Sequence, residues 1–267
     1  MKKYFIDLFA GCGGLSLGLE QAGFIPAFVN ELNEDALNTY LLNRKEFSHL
    51  KKLQSNDIKE ICSTSERIDD LKSGLRKHLS LKGKDISLLV GGPPCQGYSG
   101  IGHRRSYGVD REEIPSNYLY KSMAKLIKQI KPRAFIFENV KGLLHSRWNA
   151  KGEKGEIWKD VFKTFKNLDD YFVDSSLLYA KDYGVPQNRP RVFIVGIRND
   201  IHFKENILKP ASGLLPSIKD KTLYPHPTDL LGDLLDPKYK RNLKTEKYLH
   251  EPKTDIQYEL RRNNKRN

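Results

Sequence analysis

Cys95 lies in a sequence that could hold a reactive thiol in one place. It follows two glycines and two prolines in the segment GGPPCQGYS, residues 91–99. Proline fixes the backbone φ angle, so the Pro-Pro pair stiffens the approach to the cysteine. The thiolate is the reactive form, and a nearby cation would favour it. Cys12 and Cys62 fit instead the usual interpretation of a lone cysteine, a small buried apolar side chain.

A carboxyl group follows a later apolar run and could act on a substrate ring. Glu138 and Asn139 come directly after the run AFIF, residues 134–137. Partial burial at a strand end favours the protonated carboxyl, which could donate a hydrogen bond to a ring nitrogen. A helix cap or a surface acid is the plain alternative for Glu138 taken alone.

Two arginines precede a late apolar run. Gln187, Arg189 and Arg191 alternate along the segment QNRPR, residues 187–191. In an extended chain these three side chains share one face. Two guanidinium groups on one face could hold a phosphate or a base carbonyl. The alternative is a solvated edge strand.

A glycine-rich turn near the N-terminus indicates a ligand site. The segment DLFAGCGG, residues 7–14, separates an apolar run from a helical pattern. Its spacing is not Gly-x-Gly-x-x-Gly, and no Lys-Ser/Thr pair follows, so neither a dinucleotide fingerprint nor a P-loop is present. Glu31, after the next apolar run, could bind both hydroxyls of a ribose. A nucleoside cofactor without phosphates, such as S-adenosylmethionine, fits this pattern. A turn that serves only strand-to-helix packing is the alternative.

The elements that must position these residues alternate between strand and helix. Strands are predicted at 4–9, 25–30, 86–90, 134–137 and 191–197, and helices at 15–22, 33–42, 119–130 and 158–165. Apolar runs that end in polar clusters and alternate with helices are typical of an open α/β sheet. We therefore expect the site along the carboxyl edge of that sheet.

Composition narrows the class of protein. The 267 residues include 46 Lys+Arg and 33 Asp+Glu, which gives a net charge of +13 and suggests an anionic partner, most commonly nucleic acid. The chain has three cysteines and no Cys-x-x-Cys pair, so neither a disulfide scaffold nor a structural zinc site is expected. No apolar run approaches the roughly 20 residues that span a bilayer. We expect a cytoplasmic protein without a metal or a membrane segment.

Taken together, these motifs resemble the C5-cytosine DNA methyltransferases of bacterial restriction–modification systems. The resemblance covers residues 1–198 and rests above all on Pro-Pro-Cys-Gln, Glu-Asn-Val and Gln-x-Arg-x-Arg. It implies a Rossmann-like S-adenosylmethionine-dependent fold, with a mostly parallel sheet and helices on both faces. It also implies double-stranded DNA as the partner, S-adenosylmethionine as the methyl donor and S-adenosylhomocysteine as the product.

The resemblance also assigns roles to residues. Those implied to be catalytic are Cys95, Glu138, Arg189 and Arg191, with Cys95 adding to C6 of a flipped cytosine, Arg191 at cytosine O2, and Arg189 holding Glu138 or a phosphate. Those implied to bind the cofactor are Phe9, Gly11, Cys12, Gly13, Leu15, Glu31, Leu32, Asp57, Ile58, Pro93 and Leu119. Those implied to contact DNA are Pro94, Gln96, Ser99, Asn139 and Gln187.

Two features depart from the family pattern. Family members end with a target-recognition region and a last motif close to Gly-Asn-Ser-Val, whereas after Gly196 the only glycines are Gly213 and Gly232, followed by Leu and Asp. Leu32 also stands where an aromatic side chain often stacks on adenine. We expect a catalytic domain at 1–208 and a basic, proline-containing and poorly packed extension at 209–267, the start of a recognition region.

Three interpretations of this ending remain open. The chain is the catalytic subunit of a split enzyme whose second polypeptide supplies recognition and the last motif, a truncated fragment, or a complete enzyme with weak specificity. Two rival functions are a DNA-binding pseudoenzyme and an RNA cytosine-5 methyltransferase.

Overall fold

The described part of the chain is built on one seven-stranded sheet. A computed structural model describes residues 2–79, 86–94, 115–201, 226–234 and 250–262. The strand order is β3-β2-β1-β4-β5-β7-β6. The strands are β1 (Lys3–Leu8), β2 (Phe24–Asn30), β3 (Gln54–Ser55), β4 (Leu88–Gly91), β5 (Ala134–Val140), β6 (Tyr171–Tyr179) and β7 (Pro190–Arg198). Neighbours from β3 to β5 pair in parallel, whereas β7 runs antiparallel to β5. The predicted open, mostly parallel α/β sheet is confirmed.

Helices of very different length connect these strands. Within the described ranges they are α1 (Gly14–Gln21), α2 (Glu34–Leu42), α3 (Ile58–Ile61), α4 (Ser65–Leu79), α5 (Leu119–Ile130), α6 (Glu156–Lys166), α7 (Pro227–Leu231) and α8 (Asp255–Arg262). Short 3₁₀ turns accompany them, including Pro115–Tyr118 directly before α5. Among these described helices, none is both long enough and apolar enough to cross a bilayer.

Helices cover both faces of the sheet because neighbouring strand residues point in opposite directions. Phe5 packs in one cluster with Leu15 and Leu19 of α1. The adjacent Ile6 belongs to the other cluster, which contains the buried residues of α4, α5 and α6. This alternation confirms the expected layers of helix, sheet and helix.

The strand order places a switch point between β1 and β4. From β1 the chain moves outward to β2 and β3, and then returns to pair β4 on the other side of β1. The carboxyl ends of β1 and β4 lie side by side, with Leu8 opposite Gly91. In open α/β sheets, ligands bind in the crevice that forms at such a point. The glycine-rich turn follows β1 and the Pro-Pro pair follows β4, so both border this crevice.

Most predicted elements match the structure within two or three residues, but three differences matter. Strand β5 continues to Val140 rather than ending at Phe137, because Glu138 and Asn139 remain paired with Phe193 and Val192. Helix α4 was not predicted, although its buried side chains recur at helical spacing: Ile68, Leu71, Leu75 and Leu79. Strand β6 was not predicted either.

The described residues form two compact units. One comprises those within 1–177 and 191–216, and the other those within 178–190 and 217–267. The predicted boundary at 208 falls among residues 202–225, outside the described ranges, so it stays a prediction.

Within the second unit, the described residues 226–234 and 250–262 form a packed helix pair, whereas poor packing was expected over residues 209–267; for the rest of that range the expectation stays a prediction. Arg261 of α8 donates to the buried carboxylate of Asp233, directly after α7, at 2.8 Å. Thr254 donates to the backbone oxygen of Asp229 at 2.6 Å. Polar bonds hold this pair together, and such bonds leave no hydrophobic pattern in the sequence.

Candidate functional site

A cavity of about 260 Å³ opens at the carboxyl edge of the sheet, beside the switch point. Its walls come from the ends of β1, β2 and β4, from α3 and from the start of α5. The lining residues are Phe9, Asn30, Glu31, Leu32, Asn56, Asp57, Ile58, Lys59, Gly92, Pro94, Ser116 and Leu119. Seven of these were predicted from the sequence: Phe9, Glu31, Leu32, Asp57, Ile58, Pro94 and Leu119.

The glycine-rich turn reaches this cavity through an unusual backbone path. Phe9, Gly11 and Gly13 have φ angles of 59°, 56° and 91°, all in the left-handed region. Glycine adopts these angles without steric cost, whereas Phe9 is strained, and such strain concentrates at ligand sites. Phe9 lines the cavity from this strained position, and sequence spacing alone did not predict its positive φ.

Glu31 fixes the turn from the neighbouring strand. One carboxylate oxygen accepts from the backbone N–H of Gly11 at 2.8 Å, and the other accepts from that of Asn33 at 2.9 Å. Each oxygen retains a lone pair for a further donor. The carboxylate therefore both shapes the turn and faces the cavity, where it could accept from vicinal hydroxyls.

Apolar side chains form the opposite walls of the cavity. Leu32 is 69% exposed within the described part of the chain, whereas Ile58, which also lines the cavity, is buried. Asp57 caps α3, because its side chain accepts from the N–H of Lys59 at 2.8 Å. Leu119 begins α5. An acceptor for sugar hydroxyls beside apolar walls for a flat ring fits a nucleoside, so these residues fit S-adenosylmethionine.

Several predicted cofactor residues lie elsewhere. Leu15 packs into the core cluster around Phe5, and Pro93 is buried and does not line the cavity. Gly11, Cys12 and Gly13 form the turn behind the wall rather than the wall itself.

Cys12 is exposed, so its interpretation as a buried apolar residue was wrong. It follows Gly11 on the outside of a tight turn. Cys62 does pack against the core, and burial raises the pKa of its thiol to about 11.

The turn that precedes Cys95 is held against β5. Asn139 is buried, and its Nδ2 donates to the backbone oxygen of Pro93 at 3.1 Å. Its Oδ1 accepts from the N–H of Val140. In the structure Asn139 supports this turn, and its predicted contact with DNA stays a prediction. Gly92 lies so close to β5 that a Cβ atom there would be 2.8 Å from Oε2 of Glu138.

Glu138 forms an ion pair across two strands. Its Oε1 lies 2.6 Å from Nε of Arg191. Arg191 is opposite Val140 in the register of β5 and β7, so Glu138 is its diagonal neighbour on the same face. Glu138 is therefore neither a helix cap nor a solitary surface acid. The resemblance implied that Arg189 holds Glu138 or a phosphate, and the structure places Arg191 on the Glu138 carboxylate.

The segment before β7 is not extended as predicted. The N–H of Gln187 donates to the oxygen of Val185 at 2.7 Å, and that of Arg189 donates to the oxygen of Gln187 at 3.0 Å. These are successive three-residue turns, and the strand begins only at Pro190. Gln187 and Arg189 are exposed. Their roles at a substrate stay predictions.

Three predicted residues, Cys95, Gln96 and Ser99, lie outside the described residues, and their roles also stay predictions. Sequence reasoning missed five cavity residues: Asn30, Asn56, Lys59, Gly92 and Ser116. Four of them adjoin predicted residues at a strand end or a helix start, which was the signal that could have found them. Ser116 carried no such signal, because it enters the cavity on the 3₁₀ turn before α5.

Comparison with known proteins supplies the family context. The sequence model of the family described as C-5 cytosine-specific DNA methylase matches residues 4–267. The chain is 34% identical over 213 residues to the type II methyltransferase M.DdeI of Desulfomicrobium norvegicum, covering 79% of this chain and 45% of that protein. It is 34% identical over 244 residues to M.BspRI of Lysinibacillus sphaericus, covering 83% and 53%.

A solved structure agrees with the architecture. A candidate DNA modification methyltransferase encoded within an E. coli prophage superposes with a TM-score of 0.55 at 26% identity, covering 81% of this chain and 52% of that one. The sheet and its helices thus have the Rossmann-like arrangement of S-adenosylmethionine-dependent methyltransferases. The chain spans about half the length of the curated relatives it matches.

Proposed function

The chain belongs to the C-5 cytosine-specific DNA methylase family, and we propose that it transfers a methyl group from S-adenosylmethionine to C5 of cytosine in DNA. The observation that carries this proposal is that the cavity and the turn before Cys95 lie at the same edge of the sheet. The cavity that fits a nucleoside shares Gly92 and Pro94 with the turn that leads into Cys95. A Cβ atom at Gly92 would lie 2.8 Å from Oε2 of Glu138, the partner of Arg191.

The cavity residues would hold the cofactor in a defined orientation. The Glu31 carboxylate would accept from the ribose hydroxyls, and Leu32, Ile58 and Leu119 would flank the adenine. The side chain of Asp57 would accept from its exocyclic amine. When bound, S-adenosylmethionine supplies an electrophilic sulfonium methyl group. The protein's part is to aim that group toward the turn that follows β4.

Cytosine C5 is a weak nucleophile, so the residues near the turn must activate it. The Cys95 thiolate would add to C6 and form a carbon–sulfur bond, which makes C5 enamine-like. Glu138 would bind N3 and N4 and stabilise the charge that develops on the ring. Arg191 would hold Glu138 and meet O2. C5 would then accept the methyl group as its bond to the sulfonium sulfur breaks, with S-adenosylhomocysteine as the leaving group. A base would take the C5 proton, and the Cys95 thiolate would leave C6 to restore the ring.

The substrate base must leave the duplex to reach these groups. Cytosine C5 and C6 are stacked within DNA, so the nucleotide must be flipped out. The exposed Arg189 and the net charge of +13 would favour contacts with the DNA backbone. Two relatives that the chain matches are named type II methyltransferases. We therefore include in the proposal a protective role in a restriction–modification system, in the cytoplasm of a bacterial cell, which that likeness supports.

We further propose that reading of the target sequence uses residues beyond these 267, in a continuation of the chain or in a second polypeptide. The proposal is supported by the share of the relatives that this chain covers.

Transfer of a labelled methyl group to mixed-sequence duplex DNA tests the proposed activity. The purified chain is assayed alone and with the products of the neighbouring reading frame. Cys95→Ser should abolish transfer but keep S-adenosylhomocysteine binding, because serine supplies no thiolate. Cys62→Ser is the matched control and should keep both.

The outcomes separate the proposals. Transfer in either arm that Cys95→Ser alone abolishes supports the proposed reaction, and transfer only in the second arm supports a split enzyme. Transfer that survives Cys95→Ser contradicts the covalent mechanism. If neither arm shows methyl transfer although the cofactor binds, the result contradicts activity of this chain and favours a DNA-binding role. A preference for tRNA over duplex DNA contradicts the proposal that DNA is the substrate.

A further inference from the structure

Arg44 is a buried cation that the proposed reaction does not use. It lies two residues after the end of α2 and is 4% exposed. Its guanidinium group lies over the ring of Tyr40, 3.9 Å from the centroid. Its Nε atom pairs with the carboxylate of Glu20 on α1 at 2.5 Å. Burying a guanidinium is costly unless it is fully paired, so the contacts of Arg44 indicate what this position accomplishes.

The remaining contacts of Arg44 join two helix ends. Nη1 donates to the backbone oxygen of Tyr40 in the last turn of α2, at 3.3 Å. A cation is favoured there because the carboxyl end of a helix carries partial negative charge. Nη2 donates to the backbone oxygen of Gly13 at 3.0 Å. Gly13 is the N-cap of α1 and the last residue of the glycine-rich turn with a positive φ.

The packing around Gly13 leaves little freedom for the turn. A Cβ atom at Gly13 would lie 2.5 Å from Arg44 Nη1 and 2.7 Å from Tyr40 Cδ2. The Tyr40 hydroxyl is 2.8 Å from the hydroxyl of Ser16, which donates to Asp7. Tyr40 and Arg44 thus hold the turn at Gly13, and Glu31 holds it at Gly11.

We propose that Arg44 is a positioning residue for the cofactor, which sets the shape of the glycine-rich turn through its bond to Gly13. This inference rests on the proposed function, because it assumes that S-adenosylmethionine binds beside that turn. Without the bond, Gly13 and the start of α1 are free to shift, and Phe9 and Gly11 shift with them. Since Arg44 lies beneath the turn and away from the cavity, it acts through backbone and never touches the ligand.

Titration calorimetry with S-adenosylhomocysteine tests the proposal. Arg44→Met should raise the dissociation constant about tenfold, the effect expected when a charge-assisted hydrogen bond is lost. Arg44→Lys should recover part of that loss, because an ammonium group can still reach one of the three acceptors, Glu20, Tyr40 or Gly13. Lys45→Met removes a charge from the exposed neighbouring residue and should leave the affinity unchanged.

Hydrogen exchange in the absence of ligand separates positioning from general stability. Arg44→Met should accelerate exchange in the peptide that contains Gly11 to Leu17, while the protection of β4 and β5 stays within twofold of the wild type. Accelerated exchange throughout the sheet of Arg44→Met overturns the proposal. An unchanged affinity of Arg44→Met for S-adenosylhomocysteine, together with unchanged exchange in the turn, overturns it as well. If Arg44→Met does not fold, the same affinity and hydrogen-exchange measurements are made on Arg44→Lys and Glu20→Gln. Absence of binding by the wild-type chain overturns the cofactor assignment, whereas the exchange result still decides the role of Arg44 at the turn.

Discussion

The Nε atom of Arg191 lies 2.6 Å from Oε1 of Glu138, so one ion pair ties β7 to β5 at the carboxyl edge. Because the two strands are antiparallel, the carboxylate orientation depends on their register. Lysine keeps the charge but cannot reproduce the planar guanidinium. Arg191→Lys should therefore lower kcat for methyl transfer by about 100-fold, a typical loss for a misplaced electrostatic group.

The prediction for Arg191 is checked with labelled-methyl transfer under conditions that support wild-type activity. S-adenosylhomocysteine affinity serves as the control, and it should stay within threefold of wild type because Arg191 does not line the cavity. Wild-type turnover in Arg191→Lys would show that the pair has no part in the reaction.

Gly92 provides a second way to displace Glu138. A methyl group at this position would lie 2.8 Å from Glu138 Oε2, so the carboxylate must move to admit it. We expect Gly92→Ala to reduce methyl transfer by more than about tenfold, since misplacement of a reacting group by about 1 Å is enough for such losses. Thermal unfolding checks that the fold persists.

A matched glycine controls for the general effect of the Gly92 substitution. Gly18 lies in α1 and has no atom within 4 Å of the position of an added Cβ. Gly18→Ala should leave activity unchanged and stabilise the helix by about 0.5–1 kcal/mol. Equal activities in the two variants would show that the space at Gly92 does not set the position of Glu138.

Leu32 gives a prediction of improved binding. It is 69% exposed on the cavity wall that would face a flat ring. An aromatic side chain there adds an offset-stacked contact worth about 0.5–1.5 kcal/mol beyond the area it buries. Leu32→Phe should therefore tighten S-adenosylhomocysteine binding about three- to tenfold by calorimetry.

The control for Leu32 is the same substitution away from the cavity. Leu42 ends α2, is 63% exposed and does not line the cavity. Leu42→Phe should leave the affinity unchanged. Weaker binding in Leu32→Phe would mean that the adenine does not lie against this wall.

Asp7 links the stability of the protein to pH. Burial raises the pKa of Asp7 to about 7, with a smaller contribution from the charges of Glu31 and Glu20, while the Ser16 hydroxyl and Arg44 act in the opposite direction. An unfolded chain releases this proton near the ordinary pKa of about 3.9. Between about pH 4 and pH 7 the folded state holds more protons than the unfolded state, so this group lowers stability as pH rises through that window.

Asp7→Asn isolates that contribution. The amide stays neutral and can still accept from Ser16, so the variant should gain stability relative to wild type as pH rises from 4 to 7, with no further relative change above about pH 7.5. Urea unfolding at a series of pH values measures the difference. Asp35→Asn, an exposed substitution on α2, is the control. A constant difference between Asp7→Asn and wild type across the series would contradict the raised pKa.

The sequence by itself determined the elements whose signal is local. The apolar runs and glycine-rich turn predicted β1, α1 and β2 within a residue or two, and α5 has the predicted bounds, Leu119–Ile130. The resemblance to the methyltransferase family named seven of the cavity residues, and Glu31 among them also followed from its place at a strand end. The topology rule predicted where they meet, because parallel strands bring their carboxyl ends to one edge.

Only the tertiary structure decided which side chains meet. The partner of Glu138 depends on the antiparallel register of β5 and β7, which one residue of slip would change. Arg44 reaches Gly13 across 31 positions of sequence, and no local pattern marks that contact. Asn139 and Glu138 are adjacent in sequence, yet one is buried under Pro93 and the other faces Arg191, since neighbouring strand residues point to opposite faces. Periodicity reports burial and spacing, whereas pairing between distant segments is fixed only when the chain packs.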